Sequence, residues 1–329
     1  MNNPANSQNS APSLTVAICT HNPRLDYLSR TLEGLKSQTL PRAEWEFIII
    51  DNASKPPVSE SVDLFWHPNA RVLVEPDLGI VNARIRAMRE YSGKLLVFLD
   101  DDNVLAGDYL EHCLDLFAKR PDLGAVSGCL MPEYEAPPPD WFAESDYESW
   151  IAVRRITRST WSNFLDPRSE PVTAGMCLRR AVTAAHLVRT STNPIQRILG
   201  SRGTTLMRGE DVAIAKTALH LGYTVGQFAE LKALHLISRR RTDPDYLLSL
   251  YRHLCASGHL ISWADHCGRQ PIRLSWRTLA KSTVHFIKGG GIRRRLVVEE
   301  LRGFQLARKM ARQWSSRQQL PESAGNQVQ

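Results

Sequence analysis

Nine residues constrain the fold more than any other stretch of the chain. Residues 95–103 read LLVFLDDDN, five apolar side chains followed by three aspartates and an asparagine. An apolar run of this length between polar boundaries predicts a strand buried on both faces in an α/β sheet. The aspartates then fall at or just beyond its C-terminal end, the edge at which open α/β sheets bind ligands. Three adjacent carboxylates repel one another unless a cation lies among them. A hard ion that prefers oxygen, Mg²⁺ or Mn²⁺, suits such a cluster. The same residues could form a solvated turn capping a helix over 107–119, so the flanking sequence has to decide.

Upstream lie the parts of a nucleotide-sized half-domain. Residues 14–20 (LTVAICT) read as a strand that ends in Thr20, His21, Asn22 and Pro23. Within 24–38, leucines at 25, 28, 32 and 35 recur at helical spacing and give one apolar face. A second strand over 47–50 ends at Asp51-Asn52, and a third over 71–74 leads into Glu75-Pro76-Asp77-Leu78-Gly79. The helix that follows sets Ile80, Ala83, Ala87 and Met88 on one side, with Asn82, Arg84 and Arg86 elsewhere. Gly93 closes it before the aspartate-bearing strand begins. Such alternation implies a parallel sheet whose polar strand ends, Asp51 and residues 100–102 among them, share one edge. No GxGxxG follows the first strand and no GxxxxGK[ST] occurs, so dinucleotide and P-loop folds lack their phosphate cradle.

Six segments, in order and suitably spaced, resemble the family 2 glycosyltransferases, which have the GT-A fold. They are VAICTHN at 16–22, IIIDNAS at 48–54, DLGIVNARIRAM at 77–88, FLDDDN at 98–103, TAGMCLRR at 173–180 and GEDVAIAKTALHLGY at 209–223. Together they span about residues 13–237. The resemblance implies a Rossmann-like, mixed and mostly parallel sheet flanked by helices. It also implies inverting sugar transfer from a nucleoside diphosphate sugar, a UDP-sugar by expectation, to a hydroxyl of a saccharide or lipid-linked acceptor. Cell-surface polysaccharide or glycolipid synthesis is the process it suggests.

Roles for residues follow from the same resemblance. Asp102 is the expected direct ligand of a Mn²⁺ or Mg²⁺ ion, with Asp100 or Asp101 facing the ribose or helping to hold the ion. Thr20 and Asp51 fall where the family lines its nucleobase pocket, Asn22 is expected among the nucleotide-sugar contacts, and Asn82 and Arg84 lie on the helix beside the nucleotide. Residue for residue, Thr20 could be a strand-end hydroxyl, Asp51 a turn cap and Arg84 part of a solvated face. Asp211 matches the general base that takes the acceptor's proton, and Glu210 an acceptor contact; both would also cap a helix. Gly175, within Thr173-Ala174-Gly175-Met176, borders the sugar. His235 matches a late histidine that serves as a further metal ligand, a preference that would favour Mn²⁺. Two alternatives stand beside transfer: a sugar-phosphate nucleotidyltransferase, which lacks its Gly-rich basic loop here, and a catalytically silent sugar-nucleotide-binding module.

Charge separates the chain into regions. Net charge is +7, yet residues 239–329 hold 17 Lys/Arg against 6 Asp/Glu, while residues 1–238 hold 24 against 28. The basicity therefore belongs to a C-terminal extension over 238–329, read as helical with a disordered end. Within it Ile292, Leu296, Val297, Leu301, Phe304 and Met310 share an apolar stripe beside arginines, a pattern suited to an anionic membrane surface or to packing on the enzyme. Arg239-Arg240-Arg241 precede it, placed to contact diphosphate oxygens or to cap the domain. No nucleic-acid reader motif accompanies the charge, so nucleic acid is not an expected partner. No apolar run approaches the roughly 20 residues of a membrane span. Residues 1–12 read as a polar, disordered leader, and the six scattered cysteines as reduced thiols. A cytoplasmic enzyme, with the tail at the inner membrane face, is the expectation. Residues 132–150, Pro-rich and then acidic and aromatic, look like an insertion over the site.

Overall fold

The computed structural model describes residues 11–143, 145–266, 268, 271–274 and 291–318. Residues 1–10 and 319–329, which hold most of the expected leader and disordered end, lie outside the described residues. The first half alternates as its apolar pattern requires: β1 (Leu14–Thr20), α1 (Leu25–Lys36), β2 (Trp45–Asp51), β3 (Ala70–Val74), α2 (Ile80–Glu90) and β4 (Leu95–Leu99). Every residue of β1, β2 and β4 is buried, because helices cover the sheet on both faces. Strand periodicity divides these side chains between two cores. Val16, Ile18, Phe47, Ile49, Val97 and Leu99 pack with Leu28, Leu32 and Leu35 of α1. Ala17, Cys19, Ile48, Ile50, Leu96 and Phe98 pack with Ala83, Ala87 and Met88 of α2.

The chain continues through β5 (Asn103–Leu105), α3 (Tyr109–Lys119), β6 (Leu123–Tyr134), α4 (Asp140–Ala143), β7 (Thr160–Ser162) and β8 (Cys177–Arg179). Then come α5 (Arg180–Thr192), α6 (Glu210–His220) and β9 (Thr224–Ile237). The described strands form one sheet in the order β3-β2-β1-β4-β8-β6-β9-β5, with β7 also on β9. Strands β3, β2, β1 and β4 are parallel, as are β6 and β9. Strand β8 is antiparallel to β4 and β6, and β5 and β7 are antiparallel to β9. This is a mixed α/β sheet flanked by helices, the architecture that the GT-A resemblance implies. Thr20 and Asp51 end adjacent strands in register, and the β5–β9 ladder sets Asn103 opposite His235. Polar residues far apart in sequence thus meet at one sheet edge.

Beyond the sheet, α7 (Pro244–Asp265) starts at Asp243, whose carboxylate accepts from the Asp245 and Tyr246 N–H groups. The last described helix, α8 (Gly291–Gln318), lies on α7. Ala307 and Ala311 of α8 are buried with Ala256, Leu260, Trp263 and Ala264 of α7. Met310 and Leu306 pack against the same cluster, and Val297 is buried too. Much of the stripe that could have met lipid therefore faces a helix, while Leu301 remains exposed. The 132–150 segment bridges the sheet and α7: Phe142 joins Ile151, Val153, Ile237, Leu247 and Leu250, and Trp150 stacks on Tyr251 at 4.7 Å.

Candidate active site

The three aspartates leave β4 and diverge toward three different partners. Asp100 turns toward α2, where its Oδ1 accepts from Arg84 at 3.0 Å. Asp101 accepts from the Thr20 hydroxyl. Burial, and after it the Asp102 charge, push the Asp101 carboxyl up to about 7, against the effect of that hydroxyl. Asp102 turns toward β9 and the segment after it. Its Oδ2 accepts from Arg241 at 2.8 Å and stands 3.5 Å from His235 Nε2. Burial opposes ionisation of Asp102, but the Arg241 guanidinium beside it holds its carboxyl far below the usual range.

Sheet register explains how His235 arrives there. It pairs with Asn103, one residue beyond Asp102, and the Leu236 N–H donates to the Asp102 carbonyl at 2.8 Å. The second arm of Arg241 lies 3.0 Å from His235 Nε2. A guanidinium can only donate, so that nitrogen is the acceptor. The other ring nitrogen, Nδ1, is buried without a partner. Donors at 3.5 Å come near the ~3 Å separation of adjacent ligands on an octahedral ion with bonds of about 2.1 Å. Asp102 and His235 thus fit a divalent ion as a two-donor site that substrate and water would complete, provided Arg241 moves aside. Among the described residues no three His, Cys, Asp or Glu side chains form a metal-holding group by themselves. Asp100, expected to help hold the ion, is instead engaged with Arg84.

Arg84 is no solvated helix residue. It is 6% exposed, and its fork spans Asp100 and Glu210, the latter at 2.6 Å. A buried carboxylate, Glu210, and a partly exposed one, Asp100, are thereby tied to α2 from separate elements. Glu210, expected as an acceptor contact, is buried in that pair, and both it and Asp211 beside it line the cavity. The turn before β8 is held by Tyr109, whose hydroxyl donates to the Gly175 carbonyl at 2.6 Å. Gly175 sits at φ +81°, and a Cβ there would come within 2.5 Å of the Tyr109 oxygen. The glycine shapes the wall that Thr173 and Ala174 present to the cavity.

Asp51, Asn22 and Asn82 interlock the neighbouring loops. The Asp51 oxygens accept from the Ser54 and Val58 N–H groups at 2.9 and 2.8 Å. Asn22 Oδ1 accepts from Lys55 N–H, and Asn82 donates to the Asp77 carbonyl. These residues, with Thr20, lie at the sheet edge beside the cavity and are not part of its lining.

The cavity itself measures about 590 Å³, within the usual range for a small-molecule site. Its lining includes Asp100, Asp101, Asp102, His235 and Arg241, together with Asp211, Glu170 and Arg154. Burial and the adjacent Asp211 charge push the Glu170 carboxyl up to about 7. Trp150 from the inserted segment and Tyr246, Leu254, Ser257, Gly258 and Ile261 from α7 complete the wall. The C-terminal extension, read from sequence as an appendage, is therefore part of the site. Arg154, Glu170 and Arg208 carry no local signal in the sequence, and the helical pattern over 244–260 does not reveal that α7 lines the cavity; the aromatic insertion is the one local signal of this wall.

The acidic turn after β4 and the Glu210-Asp211 pair that opens α6 thus line one cavity on a mixed sheet. Residues 15–178 match the family described as Glycosyl transferase family 2. Among curated relatives, the succinoglycan biosynthesis protein ExoM of Rhizobium meliloti is 28% identical over 156 residues, 43% of this chain and 46% of that protein. The glucosyl-dolichyl phosphate glucuronosyltransferase of Haloferax volcanii is 25% identical over 144 residues, 42% and 44% of the two chains. The putative teichuronic acid biosynthesis glycosyltransferase TuaG of Bacillus subtilis is 27% identical over 134 residues, 40% and 52%. This chain spans about half the length of these relatives. Among solved structures, S. aureus TarS 1-349 in complex with UDP-GlcNAc aligns at a TM-score of 0.48 and 10% identity, over 92% of each chain. The family match and the named relatives support a family 2 glycosyltransferase.

Proposed function

We propose that the protein is an inverting glycosyltransferase that moves a sugar from a nucleoside diphosphate sugar to a hydroxyl of a saccharide or lipid-linked acceptor. The observation that carries this reading is that the Asp100–Asp102 turn and Asp211 line one cavity. UDP is the expected nucleotide part of the donor. Asp102 and His235 would hold a Mn²⁺ or Mg²⁺ ion, which when bound neutralises charge on the departing diphosphate as a Lewis acid. Asp100 and Arg84 brace the turn, and Thr20 orients Asp101 at the donor side. Asp211 takes the acceptor's proton as the acceptor oxygen bonds to the anomeric carbon and the carbon–phosphate oxygen bond breaks.

The names of the relatives support a role in cell-surface polysaccharide or glycolipid synthesis. Among the described residues no helix is long and apolar enough to cross a membrane. Contact with an anionic membrane surface through the exposed arginines of α8 is part of the proposal, since its apolar face is largely taken up by α7.

Calorimetry with UDP, with and without Mn²⁺, tests the donor and metal together. The wild type should bind UDP more tightly with Mn²⁺, and Asp102→Ala should lose that gain. Equal binding with Mn²⁺ and with EDTA would remove the metal from this reading; no binding to any nucleotide sugar would remove the donor.

A further inference from the structure

Four guanidinium groups reach the cavity, and three of them have partners. Arg84 lies between Asp100 and Glu210, and Arg241 between Asp102 and His235. Arg154 donates to the Ser149 and Val153 carbonyls. The fourth, Arg208, lines the cavity, and its side chain has no ion pair or hydrogen bond with any described residue. Its backbone is nevertheless fixed on both sides. The Arg208 N–H donates to the Ser257 hydroxyl of α7 at 2.9 Å, and two residues on, Glu210 is tied to Arg84.

Arg208 is half-buried, and a cation partly withdrawn from water without a counter-charge is a costly arrangement. Burial pulls the Arg208 proton affinity down, and the nearby Arg241 adds to this. Tyr246, Asp100 and Asp211 act the other way without making contact through a hydrogen bond. Arginine still keeps its proton at neutral pH. A charged, planar fork facing an open cavity is suited to two oxygens of a phosphate or a carboxylate. It lines the same cavity as Asp100 and Asp211.

We infer that Arg208 is the docking residue for an oxyanion carried by the donor, either its diphosphate or a carboxylate on the transferred sugar. The inference rests on the nucleotide-sugar reading and adds to it a residue and a charge requirement. The ligand completes the ion pair that the protein leaves open, so binding should depend on the Arg208 charge and on the fork's shape.

The test is calorimetry on the full chain with Mn²⁺, comparing UDP, UDP-glucose and UDP-glucuronate for wild type, Arg208→Gln and Arg208→Lys. Loss of a charged hydrogen bond should weaken binding about tenfold or more in Arg208→Gln. A similar loss for all three ligands assigns the fork to the diphosphate. Loss confined to UDP-glucuronate assigns it to the sugar carboxylate. Arg208→Lys should recover part of the affinity, since it restores charge without the fork, and it serves as the probe if the glutamine variant melts early. Unchanged affinity for every ligand that the wild type binds overturns the inference and leaves the donor reading intact. A wild type that binds none of the three overturns both.

Discussion

Arg241 donates to the Asp102 carboxylate at 2.8 Å with one arm and reaches His235 at 3.0 Å with the other. The two side chains best placed to bind a divalent ion are thus bridged by a cation that belongs to the chain. Arg241 lies in the turn between β9 and α7, so entry of an ion would require that turn to give way. The arrangement keeps Asp102 ionised in a buried setting, and it makes Arg241 a competitor of the metal.

Arg241→Gln should therefore bind Mn²⁺ more tightly than the wild type when no nucleotide is present. A hydrogen bond to a charged group contributes about 1.5–3 kcal/mol, which corresponds to a gain of ~10-fold or more. Titration followed by the Mn²⁺ electron paramagnetic resonance signal measures this without any turnover. Weaker Mn²⁺ binding in the variant would mean that Arg241 positions the donors and does not compete with the ion.

Glu210 and Asp211 should separate into different roles on mutation. Glu210 sits in a buried pair with Arg84, so Glu210→Gln should lower stability, by about 3 kcal/mol, as a broken buried pair does. Arg84 keeps Asp100, which argues against a larger loss. Asp211→Asn retains size and most capping ability, so the urea midpoint should stay near the wild-type value. Its turnover should fall by ~10²–10⁴-fold while UDP affinity holds. If Asp211→Asn transfers sugar at the normal rate, the base has been assigned to the wrong residue.

Much of this architecture was legible in the chain, for a physical reason. The strands carrying Val16–Ile18, Ile48–Ile50 and Val97–Leu99 are short, continuous apolar runs, and each ends in polar residues. Such runs have few other ways to be buried. The acidic turn and His235 were legible because they sit at ends of such runs. The Arg84–Glu210 pair was not, since its partners stand 126 positions apart and either alone suits a solvated helix. Arg208 and Glu170 carry no local pattern, and their importance comes from which wall they face. The stripe on α8 was ambiguous for another reason: the same apolar side chains suit lipid and α7 equally well.

His186 should make stability depend on pH. It is 1% exposed, contacts the Thr217 hydroxyl of α6 at 3.1 Å, and burial pulls its pKa down to about 4. The unfolded chain binds a proton near the usual value of about 6.5, while the folded one resists protonation until far lower. Below pH 6.5 the unfolded state thus holds more protons, so stability is full above that pH and declines as pH falls toward 4. At about 1.4 kcal/mol per pH unit the decline can reach ~3 kcal/mol over the whole window. Urea midpoints at pH 7.0, about 6 and about 5 give the slope. His186→Asn keeps a polar contact for Thr217 and should flatten it; an unaltered slope would assign the effect to other groups.

Gly303 should decide whether α8 is structural. It stands where α8 crosses α7, and a Cβ there would lie 2.5 Å from the Arg252 carbonyl oxygen and 2.8 Å from Cys255 Cβ. One of those atoms is backbone, so relief requires the helices to part. Gly303→Val should destabilise the protein by about 1–3 kcal/mol, as overpacking a close contact does. Because Leu254, Ser257 and Ile261 of α7 line the cavity, the same change should weaken UDP binding at a distance from the nucleotide. Thermal melts and calorimetry read the two effects. If α8 instead serves only as a membrane contact, Gly303→Val will melt normally and bind UDP normally. It would then differ from wild type only in sedimentation with anionic liposomes.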